Sequence, residues 1–175
     1  MSKIQQAKAK REQQKELKKE LKAITAKHDP RPLYDKHTKE NGEGFIKVPA
    51  SILDYLALQE YGFNADSIVI YQIIVQSYNK KDGYAFPSQY KMAEILKKSI
   101  QTVKRQISIL SDVGLIEVKR RGLGRSNYYR PLRPLGKEDL FERYPRAKQF
   151  DLDFSESVEE QRNKDKQHRD NEGEF

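Results

Sequence analysis

One segment near the middle of this chain is apolar in almost every direction. The eight residues Ile68–Val75 are Ile, Val or Tyr at every position except Gln72. Because a helix made of such residues has no polar face to turn toward water, it belongs at the centre of a core. Asn64 precedes the segment at a position from which its side chain can cap a helix. We therefore expect a helix from Asn64 to about Tyr78, with the other elements packed around it.

Upstream of this helix, two short elements are predicted. Phe45–Val48 alternates in the manner of a strand, and Pro49 ends it. Ser51, with Asp54 three residues later, predicts the capped start of a short apolar helix.

Downstream, a turn signal at Lys81–Gly83 and a short strand at Tyr84–Phe86 lead to two further helices. Ser88 is placed to cap a helix that ends near Leu96. After a short turn, Ser99 is placed to cap another helix. That helix is predicted to end near Val113, because Gly114 is a stop signal.

Two strand candidates follow, and a glycine-containing connection joins them. Leu115–Lys119 and Ser126–Arg130 flank the segment Gly122–Arg125, a pattern that predicts a β-hairpin. The predicted elements follow the order of a winged helix, which is helix, short strand, helix, tight turn, helix and hairpin. The predicted fold is therefore mainly α with a small β-hairpin (α+β), a winged helix-turn-helix with an N-terminal basic helix and a polar C-terminal tail.

Positive charge is concentrated in this part of the chain. Residues 97–133 contain ten basic side chains against only Asp112 and Glu117, a surplus equal to the net charge of +8 of the whole chain. Residues 137–175 are acidic on balance. A local cationic surface of this kind is typical of a protein that binds a polyanion such as DNA.

The helix that starts at Ser99 is predicted to have two distinct faces. Val103, Ile107 and Leu110 share one side at helical spacing, while hydrogen-bonding and cationic residues share the other. An α-helix fits the major groove of DNA, where Arg and Lys bond guanine and Gln bonds adenine. We expect Gln101 and Arg105 to read bases.

The predicted hairpin supplies a second set of contacts. Its cations and its glycine-containing tip form a wing that is suited to phosphates or to the minor groove. Ser99 and Thr102 are suited to hold phosphates at the start of the helix that begins at Ser99. The residues expected to contact DNA are Ser88, Ser99, Gln101, Thr102, Lys104, Arg105, Ser108, Lys119, Arg120, Arg121, Arg125 and Asn127.

Several short motifs in this chain carry a family resemblance, which covers about half of the chain. The run Phe86–Gln89, then Met92–Ala93, then Ser99 with Thr102–Arg105, then Leu110 and Gly114–Ile116 resembles the winged helix-turn-helix family found in plasmid replication initiators and phage replisome organisers. Phe45–Pro49 followed by Tyr71 is similar to the opening of such domains. Lys97 stands where the family usually has glycine in the turn, and Ile100 occupies a position that is usually polar.

Three regions are predicted. Residues 1–44 form a basic helical extension and linker, in which Leu17, Leu21 and Ile24 are the apolar residues at helical spacing. Residues 45–133 form the DNA-binding domain. Residues 134–175 form a charged tail, expected to be largely disordered after about Gln149.

The resemblance implies a double-stranded DNA partner and a role as a plasmid or phage replication initiator that binds an origin. A transcriptional regulator (repressor) is the alternative, because the same domain serves it equally. An RNA- or protein-binding adaptor is a third alternative. Self-association as a dimer or at repeated sites is left open, as is a replication-machinery partner for the tail.

Several functional classes are not expected. The chain has no cysteine, and its three histidines lie far apart in sequence, so we expect no metal site. Phosphate-binding and dinucleotide-binding loop motifs are absent, and we expect neither a cofactor nor an enzymatic activity. Without an apolar signal segment or membrane span in this sequence, we expect a cytoplasmic protein with no membrane partner.

Overall fold

The computed structural model describes residues 46–122 and 125–172, together with residues 5, 8, 9, 11, 12, 15–17 and 19. Residues 1–44 and 45–175 are two separate units. In the second unit a kinked 3-10 helix comes first, followed by three helices, a hairpin and two further helices. Their bounds are Ala50–Tyr61 for the 3-10 helix, α1 Ala65–Gln76, α2 Gln89–Leu96, α3 Ile100–Asp112, β1 Ile116–Lys119, β2 Tyr128–Pro131, α4 Lys137–Arg143 and α5 Pro145–Glu172.

Helix α1 lies in the core, as its composition predicts. The Asn64 side chain accepts hydrogen bonds from the amides of Asp66 and Ser67, and the Ser67 hydroxyl accepts from the amide of Asn64. This reciprocal capping box satisfies amides that the first turn leaves unpaired. Ser67 is itself buried, and its hydroxyl donates to the side-chain carbonyl of Gln106 in α3. A buried polar pair therefore lies between two core helices.

Helices α2 and α3 form the helix-turn-helix. Ser88 caps α2 by accepting from the amide of Lys91, and Ser99 caps α3 by accepting from the amide of Thr102, each at 3.1 Å. Both caps confirm the sequence predictions. Between the helices Lys97 adopts a left-handed conformation, with φ of 55° and ψ of 37°. The turn thus keeps the geometry that glycine usually provides, although the residue is lysine.

The two strands form the predicted hairpin. They pair antiparallel, with Val118 opposite Tyr129 and Lys119 opposite Tyr128. The predicted strand at Tyr84–Phe86 is reduced to single bridges, one of which joins Ala85 to Tyr129 through two hydrogen bonds of 2.8 Å. This bridge ties the segment before α2 to the hairpin. We call residues 116–131 the wing.

The C-terminal segment differs from the expectation of a largely disordered tail. It is helical from Lys137 to Arg143 and again from Pro145 to Glu172. Leu140 and Ala147 are buried in the same core as α1, so the folded unit extends past the predicted boundary at Arg133. Beyond this anchor, exposed side-chain pairs at helical spacing support α5, such as Gln149 with Asp153 and Gln161 with Asp165.

Two upstream predictions are wrong. Residues 46–49 are not a strand, and Phe45 lies outside the described residues. The 3-10 helix begins after Pro49 without a side-chain cap, so Ser51 does not serve as one. Pro49 precedes the first helical residue, where its missing amide hydrogen removes no helical hydrogen bond.

In the N-terminal unit the described residues between 5 and 19 are helical and exposed, Leu17 included. Leu21, Ile24 and the predicted linker lie outside the described residues. No helix in the described part of the chain is long and apolar enough to span a membrane. The fold of the second unit is a winged helix-turn-helix with two added C-terminal helices.

Candidate nucleic-acid interface

Helix α3 presents a polar and cationic face to solvent. Val103, Ile107 and Leu110 are buried against the core, as their spacing predicts. The opposite side is exposed and is made of Gln101, Lys104, Arg105 and Ser108, which we call the recognition face. Because Lys104 and Arg105 each lie three or four residues from both Gln101 and Ser108, the four side chains form one continuous surface along the helix.

An open cleft of about 580 Å³ lies between α3 and the wing. Lys104 and Ser108 line it from α3, and Arg120 and Asn127 line it from the wing. Gln89, the first residue of α2, also lines the cleft. The cleft therefore brings together residues from three elements that are far apart in sequence.

A second open cleft of about 510 Å³ shares two of these residues. Gln89 and Asn127 line both clefts, and Ser88, Tyr90, Arg125 and Ser126 line only the second. Because Gln89 and Asn127 are common to both, the two clefts are adjacent, and we refer to them together as the groove. The groove is lined by Lys104 and Ser108 of the recognition face at one end and by Arg125 and Ser126 of the wing at the other.

The four predicted cations of the wing are divided between its two faces. Side chains alternate along a strand, so the residues next to buried Tyr129 face away from the core. Tyr128 therefore lies on the outer face, together with Lys119, which pairs with it. The Arg121 guanidinium stacks on Tyr128, 4.3 Å from the ring centroid. Lys119 and Arg121 are thus not brought together with the recognition face, whereas Arg120 and Arg125 lie in the groove.

The remaining predicted residues lie at the start of α3. The Ser99 and Thr102 hydroxyls are 3.0 Å apart, next to the first amides of the helix. A helix start carries partial positive charge and suits a phosphate oxygen. Ile100, the residue that departs from the family pattern, is half-buried and extends the apolar side of α3.

One carboxylate also lines the groove. Asp112 belongs to the cleft between α3 and the wing, and it accepts a long hydrogen bond of 3.5 Å from Ser108. Its negative charge opposes the cations Lys104 and Arg120 across the same space. The groove is therefore cationic on balance but not uniformly so.

A buried phenol lies beneath the junction of the two clefts. Burial raises the pKa of Tyr129, and the nearby side chains of Gln89 and Asn127 offset part of this rise. The Tyr129 hydroxyl nevertheless makes no well-formed hydrogen bond within the described residues. The raised pKa means that burial disfavours the charged tyrosinate form at this position.

Sequence reasoning missed Gln89 and Tyr90. Tyr90 is 76% exposed and lines the groove beside Arg125. Helical spacing could have identified Tyr90 as exposed, because Met92 and Ala93 define the inner side of α2 and Tyr90 points away from it. An exposed aromatic ring beside an arginine is a suitable contact for a nucleic-acid backbone or base.

No group of three His, Asp or Glu side chains that could hold a metal ion occurs within the described part of the chain.

Comparison with known proteins identifies a helix-turn-helix domain. A family model described as "Helix-turn-helix domain" matches residues 64–116, the range from the cap of α1 to the first residue of β1. No curated protein sequence matches this chain.

Two solved structures are similar to the chain. One is described as "N-Terminal domain of DNA binding protein", with a TM-score of 0.43 and 20% identity over 67% of this chain and 96% of the other. The second is described as "Structure of Rep-DNA complex", with a TM-score of 0.43 and 21% identity over 64% of this chain and 96% of the other.

Proposed function

We propose that this protein binds specific sites in double-stranded DNA through the recognition face of α3 and the groove beside it. One observation carries the proposal: Lys104 of α3 and Arg120 of the wing line the same cleft. A helix of this kind enters the major groove while the adjacent cations hold the flanking backbone.

Base readout belongs to Gln101 and Arg105. Both are exposed, and they are four residues apart on one face of α3. Arg bonds two acceptors of guanine, and Gln bonds the donor and acceptor of adenine. One such helix contacts only a few base pairs, so useful specificity calls for two copies or repeated sites.

Backbone contacts belong to Lys104, Arg120 and Arg125, with Ser99 and Thr102 at the helix start. Each cation that neutralises a phosphate releases condensed counterions, so binding weakens steeply as salt increases. The side of the molecule that meets DNA is then the groove and not the outer face of the wing.

The biological role we propose is initiation of plasmid or phage replication by binding an origin. It rests on the sequence resemblance of Phe86–Gln89, Thr102–Arg105 and Gly114–Ile116 to such initiators. Contact with a second copy at repeated sites, and with replication machinery through residues 134–175, belongs to the same proposal.

The test is selection of preferred sites from random duplex DNA, followed by a nuclease footprint on the DNA that neighbours the protein's own gene. Repeated sites within an origin support the initiator. An operator that overlaps a promoter would instead make the protein a transcriptional regulator.

Competition between duplex DNA and structured RNA at matched salt tests the choice of nucleic acid. RNA has a deep, narrow major groove that a helix cannot enter, so duplex DNA should win. Preference for RNA would refute readout by α3.

A further inference from the structure

We propose that the outer face of the wing is a second nucleic-acid site, which binds unpaired bases of a single strand. The site is formed by three aromatic side chains, Tyr84, Phe86 and Tyr128, which we call the aromatic platform. Lys119 and Arg121 are its cations. This surface is distinct from the groove proposed to bind the duplex.

The strand geometry explains why the three rings share a face. Ala85 is wholly buried and bridges to Tyr129, which is also wholly buried. Because side chains alternate along extended backbone, the neighbours of these residues point outward. Those neighbours are Tyr84, Phe86 and Tyr128.

The rings contact one another and remain open to solvent. The centroids of Tyr84 and Tyr128 are 5.0 Å apart, and those of Phe86 and Tyr128 are 6.3 Å apart in an edge-to-face arrangement. Phe86 is 47% exposed, and Tyr84 and Tyr128 are partly exposed. A cluster of aromatic rings fixed by backbone bridges, with one face in water, is a ready surface for flat ligands.

The charges around the platform favour a polyanion over an apolar protein segment. Lys119 and Arg121 are exposed, and Arg121 lies over the Tyr128 ring. Glu117, the one acidic residue in the sequence of the wing, is paired with Arg130 at 3.3 Å. The outer face therefore offers cations for phosphates beside rings for bases, the combination by which proteins bind single strands with little sequence preference.

Tryptophan fluorescence provides a direct test, because the chain contains no tryptophan. Phe86→Trp keeps an aromatic ring in the platform and makes it the sole tryptophan. We expect oligothymidylate to quench its fluorescence, since a stacked base contacts the indole ring. Phe154→Trp is the matched control, because Phe154 is also exposed, at 61%, but lies on α5.

An oligonucleotide of the same length with abasic sugars separates base stacking from phosphate binding. The proposal predicts quenching of the Phe86→Trp protein by oligothymidylate and little quenching by the abasic strand, with the Phe154→Trp protein unaffected by either. Absence of quenching at saturating oligothymidylate, or equal quenching by the two strands, would overturn it.

Removal of the ring gives an independent measurement. By the usual contribution of one stacked base, Phe86→Ala should weaken oligothymidylate binding by about tenfold while duplex binding stays within about twofold. Phe154→Ala should leave both unchanged. Equal affinity of the Phe86→Ala and parent proteins for oligothymidylate would refute the site, whereas loss of duplex binding alone would count against the proposed function of the groove.

Discussion

Arg120 and Arg121 are adjacent in sequence, but their side chains lie on opposite faces of the wing. Arg120 lines the cleft with Lys104 and Ser108 of α3, whereas Arg121 stacks on Tyr128 on the outer face. A charge count along the sequence treats the two arginines as equivalent. Their placement separates them into a cation of the groove and a cation of the aromatic platform.

The turn between α2 and α3 provides the first prediction. Lys97 has a left-handed backbone, which costs a residue with a Cβ atom about 1 kcal/mol or more relative to glycine. Lys97→Gly should therefore stabilise the protein by about 0.5 to 1 kcal/mol after the entropy of glycine in the unfolded chain is included. Urea unfolding measures this change. Lys97→Ala removes the same charge but keeps the Cβ atom, and a gain as large as that of glycine would contradict the explanation.

Local signals in the sequence predicted much of the fold. The caps at Asn64, Ser88 and Ser99 depend on hydrogen bonds to amides two or three residues away, so the residue type and its position suffice. The buried side of α3 follows from spacing alone. These features need no knowledge of which elements meet in space.

Features that depend on tertiary packing were not predicted. The helical C-terminal segment is anchored by Leu140 and Ala147, whose apolar contacts lie in a distant part of the chain. The division of the wing cations depends on strand register and on the bridge between Ala85 and Tyr129. Neither relationship is visible in a local pattern of charge or hydropathy.

Sequence preference provides the second prediction. Arg105→Ala or Gln101→Ala should reduce discrimination at one base position by about 1 to 3 kcal/mol, because each removes one of the proposed bidentate base contacts. Binding of the selected site and of single-base variants is measured at fixed salt. An equal loss on every sequence would remove the altered residue from base readout and assign it to the backbone.

The carboxylate in the groove provides the third prediction. Asp112 faces the same space as Lys104 and Arg120, so it repels a phosphate that enters the groove. Asp112→Asn should tighten binding of random-sequence duplex DNA by a few fold at low salt, and by less as salt screens the charge. Exposed Asp153 on α5 is a matched control, since Asp153→Asn changes the net charge equally. If both variants tighten binding equally, the effect belongs to net charge and not to the groove.

The buried tyrosines provide the fourth prediction. Burial raises the pKa values of Tyr55, Tyr71 and Tyr129 above the ordinary value of about 10. The unfolded chain therefore loses these protons at lower pH than the folded chain. The contribution of these three phenols to stability should therefore be fully present below about pH 10 and should be lost as the pH rises above it. Urea unfolding between pH 8 and pH 11 checks this direction, and an increase in stability above pH 10 would contradict it.

Two of these tyrosines also differ in the hydrogen bonds that their hydroxyl groups make. The Tyr71 hydroxyl donates to the Leu132 carbonyl at 2.7 Å, whereas the Tyr129 hydroxyl has no well-formed partner within the described residues. Tyr71→Phe should therefore cost about 1 kcal/mol, and Tyr129→Phe should be neutral or slightly stabilising. A larger cost for Tyr129→Phe than for Tyr71→Phe would show that the Tyr129 hydroxyl has a stabilising partner.

The central claim is that duplex DNA meets the groove side of the wing and not its outer face. The most direct test is the salt dependence of duplex binding for Arg120→Gln and Arg121→Gln, which remove the same charge from adjacent positions. We predict that Arg120→Gln lowers the slope of log K against log salt by about 1, whereas Arg121→Gln leaves it unchanged. Equal losses for the two variants, or a loss for Arg121→Gln alone, would contradict the account.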